Sequence, residues 1–580
     1  MPGLHLGFYI VMVQIWLENM FCIKLLPIGG NHVWSENSKL WIFILFLVVV
    51  DDQGEYAQRL LTLNSGANNR QSKENRMAAV RGVLLDEYVL VREDGNGNIS
   101  LQSGAEGLLR RLQYSKLRTG ISYGKGVSDQ KGTFVKKMAT LYSMDCFLLD
   151  VSCVDDSLNE ILLAWGDDGG SFLYVTCSKD DDLFLKLSNH GWVTVFKCPE
   201  GGAVPENLRM MFINKLEELL ISLCRFNKAI GDGALTIGYV MKPSREEDFA
   251  KRGAFPMCHT QNGLRFVPLT FDLPLASQLQ EVDVVLHKAT DEIVTIELGS
   301  SSEFSYKVCY SKGMQELERY FQDHPDCCVI DPLNNIYPVL DRLKIQKILL
   351  GLEDLNTEGR CKIRGPHFLK VDHFNDHSLA EQLSEAKLCL PCIAKPQVAC
   401  GVTDAHSMAI VFRAEDFRNL SVPLPAIIQE YVDHSSVLFK FYVLGNKVFH
   451  AVKISTPNSD VLLSSSEKNG LKPIVFDSLK SLPTAKKDLS GETIQSKDDS
   501  PLDIELVKDA ANWLKRTLDL TIFGFDVVIQ EGSRDHVIVD INYLPSFKEV
   551  PNDVAIPAFW DAIRNSYESR KAKLESACSS

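Results

Sequence analysis

The residues best suited to chemistry lie towards the C-terminal end. Two runs, GFDVVIQ at 524–530 and HVIVDIN at 536–542, read as the strands of a hairpin with a turn between them. Asp540 and Asn542 are two apart, so both side chains leave the same face, and Asp526 can join them across the ladder. Aspartate is disfavoured inside a β-rich apolar strand. Two such residues facing each other, with an amide oxygen beside them, make a hard, all-oxygen set. That set suits Mg²⁺ sharing its shell with nucleotide phosphates. Upstream, Lys395 ends the apolar run at 393–396 and precedes a loop, 401–406, that contains a glycine and small residues. A lysine carried by a sheet and a flexible loop can together grip and cover phosphates. The segment Gln429-Glu430-Tyr431-Val432 continues an apolar strand into an extended stretch whose backbone groups could read an adenine edge. Lys440 stands in the hydrophobic run 438–443, where an uncompensated ammonium is costly, so an anionic partner is expected. Lys453 and Ser455 follow on the next strand.

The elements that must position these groups are α/β throughout. Residues 77–230 alternate apolar runs (80–85, 144–151, 172–177, 192–196) with helical segments, and 210–224 has helical periodicity, giving a Rossmann-like α/β domain. A second unit, 231–335, has strands near 234–240, 282–287 and 329–331 and a helix at 314–324. A central region, 336–440, has a helix at 341–350 and then mainly strands, with one helix at 415–420. A last region, 441–570, has a helix at 504–518, the hairpin and a closing helix at 555–570. The stretch 481–500, rich in Ser, Lys and Asp, reads as a mobile insert.

The bulk numbers narrow the classes. At ~100–200 residues per domain, 580 residues imply three to four domains. A net charge of −14 argues against nucleic acid or any general polyanion partner, so cations for an anionic substrate must be gathered locally. Fifteen cysteines without regular spacing fit reduced thiols in the cytoplasm or nucleus, and the lone Cys389/Cys392 pair reads as structural. The eleven apolar residues 40–50 are too few to span a membrane as a helix, for which ~20 are needed. MAAVRGVLLDE from Met77 reads as a fresh N-terminus, so 1–76 is expected to be an extension, disordered or not part of the folded enzyme. Gly124-Lys125-Gly126 lacks the spacing of a phosphate-binding loop and reads as a turn.

The lysine, the adenine-facing segment, the second lysine and the Asp…Asp-x-Asn set stand in the order of an ATP-grasp fold. With Gly238-Tyr239, His287-Lys288-Ala289-Thr290-Asp291, His324-Pro325, Ile330-Asp331-Pro332, Asp341-Arg342, Lys395-Pro396, His406-Ser407-Met408, Gln429-Glu430-Tyr431-Val432 and Asp540-Ile541-Asn542-Tyr543, the chain resembles the inositol trisphosphate 5/6-kinase / inositol tetrakisphosphate 1-kinase family, in its plant type with an added N-terminal domain. The resemblance covers about 234–566. It implies an ATP-grasp kinase core with two Mg²⁺ ions, ATP as co-substrate and an inositol tris- or tetrakisphosphate as acceptor, acting as a monomer. Residue by residue it implies Arg245, Lys288, His406 and Lys440 as cationic substrate contacts, joined on the substrate side by Asn542 and Ser546. Arg342, Lys395, Lys440 and Ser455 match nucleotide ligands, and 429–432 the adenine hinge. Asp526, Asp540 and Asn542 match the magnesium ligands, so that Lys395, Lys440, Asp526 and Asp540 carry the catalytic roles. The family commonly has a glycine where Ser546 stands here. His287 is expected to be a structural neighbour of Lys288.

The domain before the core has an aspartate, Asp86, at a strand end, as haloacid-dehalogenase-like (HAD-like) proteins do. Its second-aspartate position is Tyr88, so the domain is read as HAD-like and non-catalytic. Two rival readings share the nucleotide machinery: an ATP-grasp carboxylate–amine ligase, and a catalytically weak inositol phosphate-binding regulator.

Overall fold

The computed structural model describes residues 79–578, apart from 167–168, 199–209, 232, 299–305, 468–469 and 486–501. It also describes the backbone of the strands Val11–Val13, Ile44–Val50 and Tyr56–Thr62, which form an antiparallel sheet. The chain divides into two compact units, Met1–Arg76 and Met77–Ser580. The expectations for 1–76 and for the insert near 481–500 fall largely on residues outside those described. Among the described residues, no helix is long and apolar enough to cross a membrane.

The larger unit begins with a six-stranded parallel sheet in the order Met210–Ile213, Val193–Lys197, Ser171–Thr176, Val80–Asp86, Arg118–Tyr123, Asp145–Leu148. The run at 210–224 is not one helix as its periodicity suggests. Met210–Ile213 is an edge strand on Val193–Lys197, and the helix Glu218–Ala229 starts only after the polar pair Asn214-Lys215. Asp86, at the end of its strand, accepts hydrogen bonds from the Thr176 hydroxyl at 2.6 Å and the Tyr174 hydroxyl at 2.9 Å. It also caps the short helix that follows, through the Tyr88 amide.

Next comes a four-stranded parallel sheet, Leu264–Pro268, Leu235–Val240, Val284–His287, Cys328–Ile330. A hairpin, Ile293–Leu298 with Tyr306–Tyr310, is added to this region and has no counterpart in the sequence reading. Two five-stranded sheets complete the unit, and they cut across the sequence boundary near 440. The sheet holding the carboxylates takes Ile363–Arg364 from the central region, followed by His536–Tyr543, Ile522–Ile529, Val437–Leu444 and Lys447–Ile454. The other sheet, Phe368–Val371, Ala426–Glu430, Cys392–Pro396, Ser407–Val411, takes its edge strand Ile474–Asp477 from beyond 441. Non-local pairing of this kind leaves no mark in local periodicity. The segment expected as a helix at 415–420 is a 3₁₀ turn, Ala414–Asn419.

One core joins the four-stranded parallel sheet to the sheet that holds the carboxylates. Phe249, Phe255, Phe266, Phe547 and Phe559 pack ring against ring across more than 300 residues of sequence. The helix Ile504–Leu518 buries Leu506, Val507, Ala510, Ala511, Leu514 and Leu518 as one stripe and is capped by Asp503, which Arg360 holds with two bonds of 2.8 Å. Cys392 is fully buried and its thiol donates to the Cys389 carbonyl, so this pair is structural.

Candidate active site

A cavity of about 930 Å³ lies among the four-stranded parallel sheet, the sheet containing Cys392–Pro396 and the carboxylate sheet, and every site residue implied by the resemblance lines it. Its floor is a row across three strands: Lys440 pairs in register with Asp526, and Asp526 with Asp540. The Lys440 ammonium lies 3.4 Å from Asp526. A bulge follows Asp526 in the ladder; on the other side of the Asp526/Asp540 pair, Asn542 Nδ2 donates to Asp540 at 3.1 Å. Burial pushes the Asp526 carboxyl up to about 6; Lys440 pulls it down and the Asp540 charge pushes it up. Two carboxylates sharing a buried face repel each other, and a hard divalent cation would relieve that repulsion. The donor set therefore fits Mg²⁺ held by Asp526, Asp540 and the amide oxygen of Asn542, with phosphates completing the shell. Gly524, opposite Asn542, keeps this face open: a Cβ there would meet the Phe441 carbonyl at 2.9 Å and crowd Pro545. Sequence reasoning passed over that glycine.

Lys395 enters from the central sheet. It is 8% exposed and donates to Gln429 Oε1 at 2.8 Å. Burial brings its ammonium down to about 8, against the pull of Asp540. Gln429 thus orients a cation. Glu430 is turned away: its carboxylate holds Arg364 with bonds of 2.9 and 3.0 Å, and its amide donates to His367. The side chains of Gln429 and Glu430 are therefore spent on the protein. At Tyr431, whose hydroxyl donates to the Pro457 carbonyl at 2.5 Å, and at Val432 the chain leaves the strand along the cavity wall. Ser455 is buried on the same wall.

Arg342 lines the cavity and is anchored by the protein. It is 5% exposed, and its guanidinium donates to the carbonyls of Pro396, Val398, Ala399 and Ala405 at 2.7 to 3.3 Å. Its fork staples the loop that follows Lys395, so any phosphate contact would come from a group already fixed in place. A planar five-donor group satisfies converging carbonyls better than any other side chain.

The substrate side is built by the four-stranded parallel sheet. Lys288 follows the strand Val284–His287; its ammonium donates to the Tyr543 carbonyl and lies over the Tyr543 ring at 4.8 Å. Burial, and then the neighbouring Arg245, bring Lys288 down to about 8. Arg245 is not free either: Asp291 accepts from it at 2.9 and 3.2 Å, with Lys242 3.9 Å away. Asp291 had been read only as part of a motif, yet it sets the direction of two cations. His406 bonds Ser478 through Nδ1 at 3.2 Å, and burial lowers its pKa. Ser546 lines the cavity, with its carbonyl accepting from Arg252 at 2.5 Å. His287 is fully buried and its Nδ1 accepts from the Ala289 amide, the structural place expected for it. Tyr543 is the hub that sequence reasoning did not see: its hydroxyl donates to the His287 carbonyl at 2.7 Å and accepts from the Asp331 amide at 3.1 Å.

Comparison with known proteins places this geometry. Residues 236–336 match the inositol 1,3,4-trisphosphate 5/6-kinase pre-ATP-grasp domain, and 357–560 the ATP-grasp domain of the same kinases. The chain is 54% identical over 493 residues to inositol-tetrakisphosphate 1-kinase 6 of Oryza sativa subsp. indica, covering 84% of this chain and 88% of that one. This chain belongs to the inositol-tetrakisphosphate 1-kinase family. The Danio rerio inositol-tetrakisphosphate 1-kinase is 28% identical over 321 residues, 54% of this chain and 75% of that one. Residues 77–229 match the model described as ITPK4, N-terminal HAD-like domain. The chain is thus an ATP-dependent inositol phosphate kinase with an ATP-grasp core behind a HAD-like domain, as its motifs imply.

Proposed function

We propose that this kinase transfers the γ-phosphate of ATP to a free hydroxyl of an inositol tris- or tetrakisphosphate, of the 1,3,4-trisphosphate 5/6-kinase and 3,4,5,6-tetrakisphosphate 1-kinase type. The observation that carries the reading is the meeting of Arg245, Lys288, His406 and Lys440 with the Asp526/Asp540 pair in one cavity of an otherwise acidic protein. Phosphoryl transfer needs little covalent help. It needs an in-line approach and neutralised charge on the γ-phosphoryl oxygens. Lys395, aimed by Gln429, supplies positive charge beside the carboxylates. Lys440 reaches from the Asp526 row towards either phosphate group. Arg245, aimed by Asp291, and Lys288, aimed by the Tyr543 carbonyl, hold the acceptor's phosphates. The backbone of Tyr431 and Val432 faces the adenine, with Ser455 beside it. Mg²⁺, as two ions on Asp526, Asp540 and Asn542, would supply charge neutralisation along the phosphates.

Asp86, closed in by two hydroxyls and lacking its acid/base partner, makes the HAD-like domain non-catalytic in this reading. The described cysteines are all free, which supports a reducing compartment, the cytoplasm or nucleus. We also propose that the enzyme is a monomer. The test is turnover with ATP and a panel of inositol tris- and tetrakisphosphate isomers, with products resolved by chromatography. Turnover of one or more isomers is expected; turnover of none would sink the proposal.

A further inference from the structure

We propose a second ligand site, at the seam between the HAD-like domain and the first kinase sheet, that binds several phosphates carried on a compact ring. At the edge of the HAD-like sheet opposite Asp86, the strands Val80–Asp86, Arg118–Tyr123 and Ser171–Thr176 begin side by side around a cavity of about 450 Å³. The segment from Cys258 to Arg265, in the kinase region, closes its other side. The cavity shares no lining residue with the catalytic one.

Its described lining is rich in cations. Arg81, Lys116, Arg118, His259 and Arg265 line it, and none of the described lining residues is a carboxylate. This occurs in a chain with 75 acidic residues against 61 Lys and Arg. Elsewhere on the same two domains cations find carboxylates: Arg111 with Glu246, Arg225 with Glu281, Lys228 with Asp283. Among the described residues, Lys116 and Arg118 meet none. Like charges crowded around a cavity of ligand size call for an anion.

The site is also held in shape. Lys116 has φ +64°, a backbone region that side chains rarely adopt. The turn around it is pinned by Ser115, whose hydroxyl accepts from the Leu117 amide at 3.2 Å and whose carbonyl accepts from the Met257 amide at 2.8 Å. Arg265 is 1% exposed, with Nε donating to the Met257 carbonyl at 3.1 Å. One short segment therefore fixes a cation from each domain. Trp165 and Phe172 give the cavity an apolar side, which suits a carbon ring bearing phosphates better than an extended polyphosphate chain.

The experiment is calorimetric titration of the full chain with inositol hexakisphosphate, compared between wild type and K116E/R118E. The expected result is loss of one equivalent of binding in the variant, with kinase turnover within twofold of wild type. Because the criterion is the difference between the two proteins, it reads independently of whether the catalytic cavity also takes the probe. Equal stoichiometry in the two proteins would overturn the proposal. Should K116E/R118E fail to fold, K116Q/R118Q is titrated in its place, and at least a tenfold weaker affinity for that equivalent is required. ATP that leaves this equivalent bound supports the ring polyphosphate; ATP that displaces it as well as the hexakisphosphate itself would overturn that assignment.

Discussion

Two strand-borne aspartates, Asp86 and Asp526, show what separates a retained carboxylate from a working one. Asp86 in the HAD-like sheet is 5% exposed and receives two hydroxyls and an amide, and burial, with Asp86 itself, pushes the neighbouring Glu87 carboxyl up to about 9. Its hydrogen-bonding capacity is spent inside the protein. Asp526 in the kinase sheet faces a large cavity, with Lys440 on one side and the like charge of Asp540 on the other. Lys440 and Lys395 favour its charge, Asp540 and burial oppose it, and the carboxylate opens on a space that a ligand can enter. A carboxylate closed in by protein donors contributes to structure; a pair that opens on a cavity beside cations is placed for a ligand.

The sharpest test of this contrast exchanges the two. Asp540→Ala should lower kcat by at least ~10²–10³-fold with the fold intact, the range seen when a preorganised charge-stabilising group is lost. Asp86→Ala should leave kcat/KM within about twofold and instead lower the melting temperature. It strands the Tyr174 and Thr176 hydroxyls, at a cost of ~1–3 kcal/mol. If Asp86→Ala abolished turnover, the contrast would be wrong.

A comparable effect is expected in acid. Burial holds His287 at about 4 in the folded kinase, against an ordinary value near 6.5. The folded state therefore binds its proton less well than the unfolded chain does. The stability from neutral His287 is present above about 6.5 and is lost as pH falls through about 4. The loss is about 3 kcal/mol for a shift of this size. Melting curves of wild type and His287→Gln should converge as pH drops across that window.

A smaller effect concerns the lysines. Lys288 and Lys395 sit at about 8 without ligand, so the empty cleft loses positive charge as pH rises through 8. Phosphates entering the cleft favour the charged forms. Binding should then take up protons near and above pH 8, visible as a dependence of the calorimetric enthalpy on the buffer's ionisation heat. The KM values for acceptor and ATP should climb with pH above 8, by up to about tenfold per pH unit for each lysine. A flat KM between pH 7.5 and 9.5 would remove these lysines from the binding step.

The smallest change is expected at Ser546. Ser546 lines the cavity, so Ser546→Gly should shift the ratio of isomers used more than the total rate. Product chromatography on mixed isomers reads that ratio.

Much of this was legible because the decisive groups sit on strongly patterned elements. The hairpin of Asp526 and Asp540 and the helix Ile504–Leu518 carry unbroken periodicity, and their positions follow from it. The order of the cationic motifs then pointed to the family. What stayed hidden is relational. Nothing local to Arg342 tells that its fork is consumed by four carbonyls brought in by the strand Cys392–Pro396 and the loop after it. Asp291 lies within a motif that was noticed, but its partner Arg245 is 46 residues away. The strand Ile363–Arg364 pairs with residues more than 170 positions later, where no periodicity argument reaches. Gly524 and Tyr543 share a common cause: their value lies in what they leave room for or tie together.

That tying reaches further than the active site. Asp331 ends a strand of the first kinase sheet, and its carboxylate accepts from the Thr521 and Ile522 amides at 2.9 and 3.3 Å. These amides open the very hairpin whose far end, Tyr543, binds Asp331's own amide. Both ends of one hairpin are thus knotted to a residue some 200 positions earlier, beyond a whole intervening sheet. The kinase region is for this reason not a string of separable modules. Separating the chain between 336 and 357, where the matched segments part, would take Asp331 from the Thr521 and Ile522 amides and the Tyr543 hydroxyl and open a shared aromatic core. Shuffling or expressing its lobes singly would break a closed loop of the fold rather than a linker.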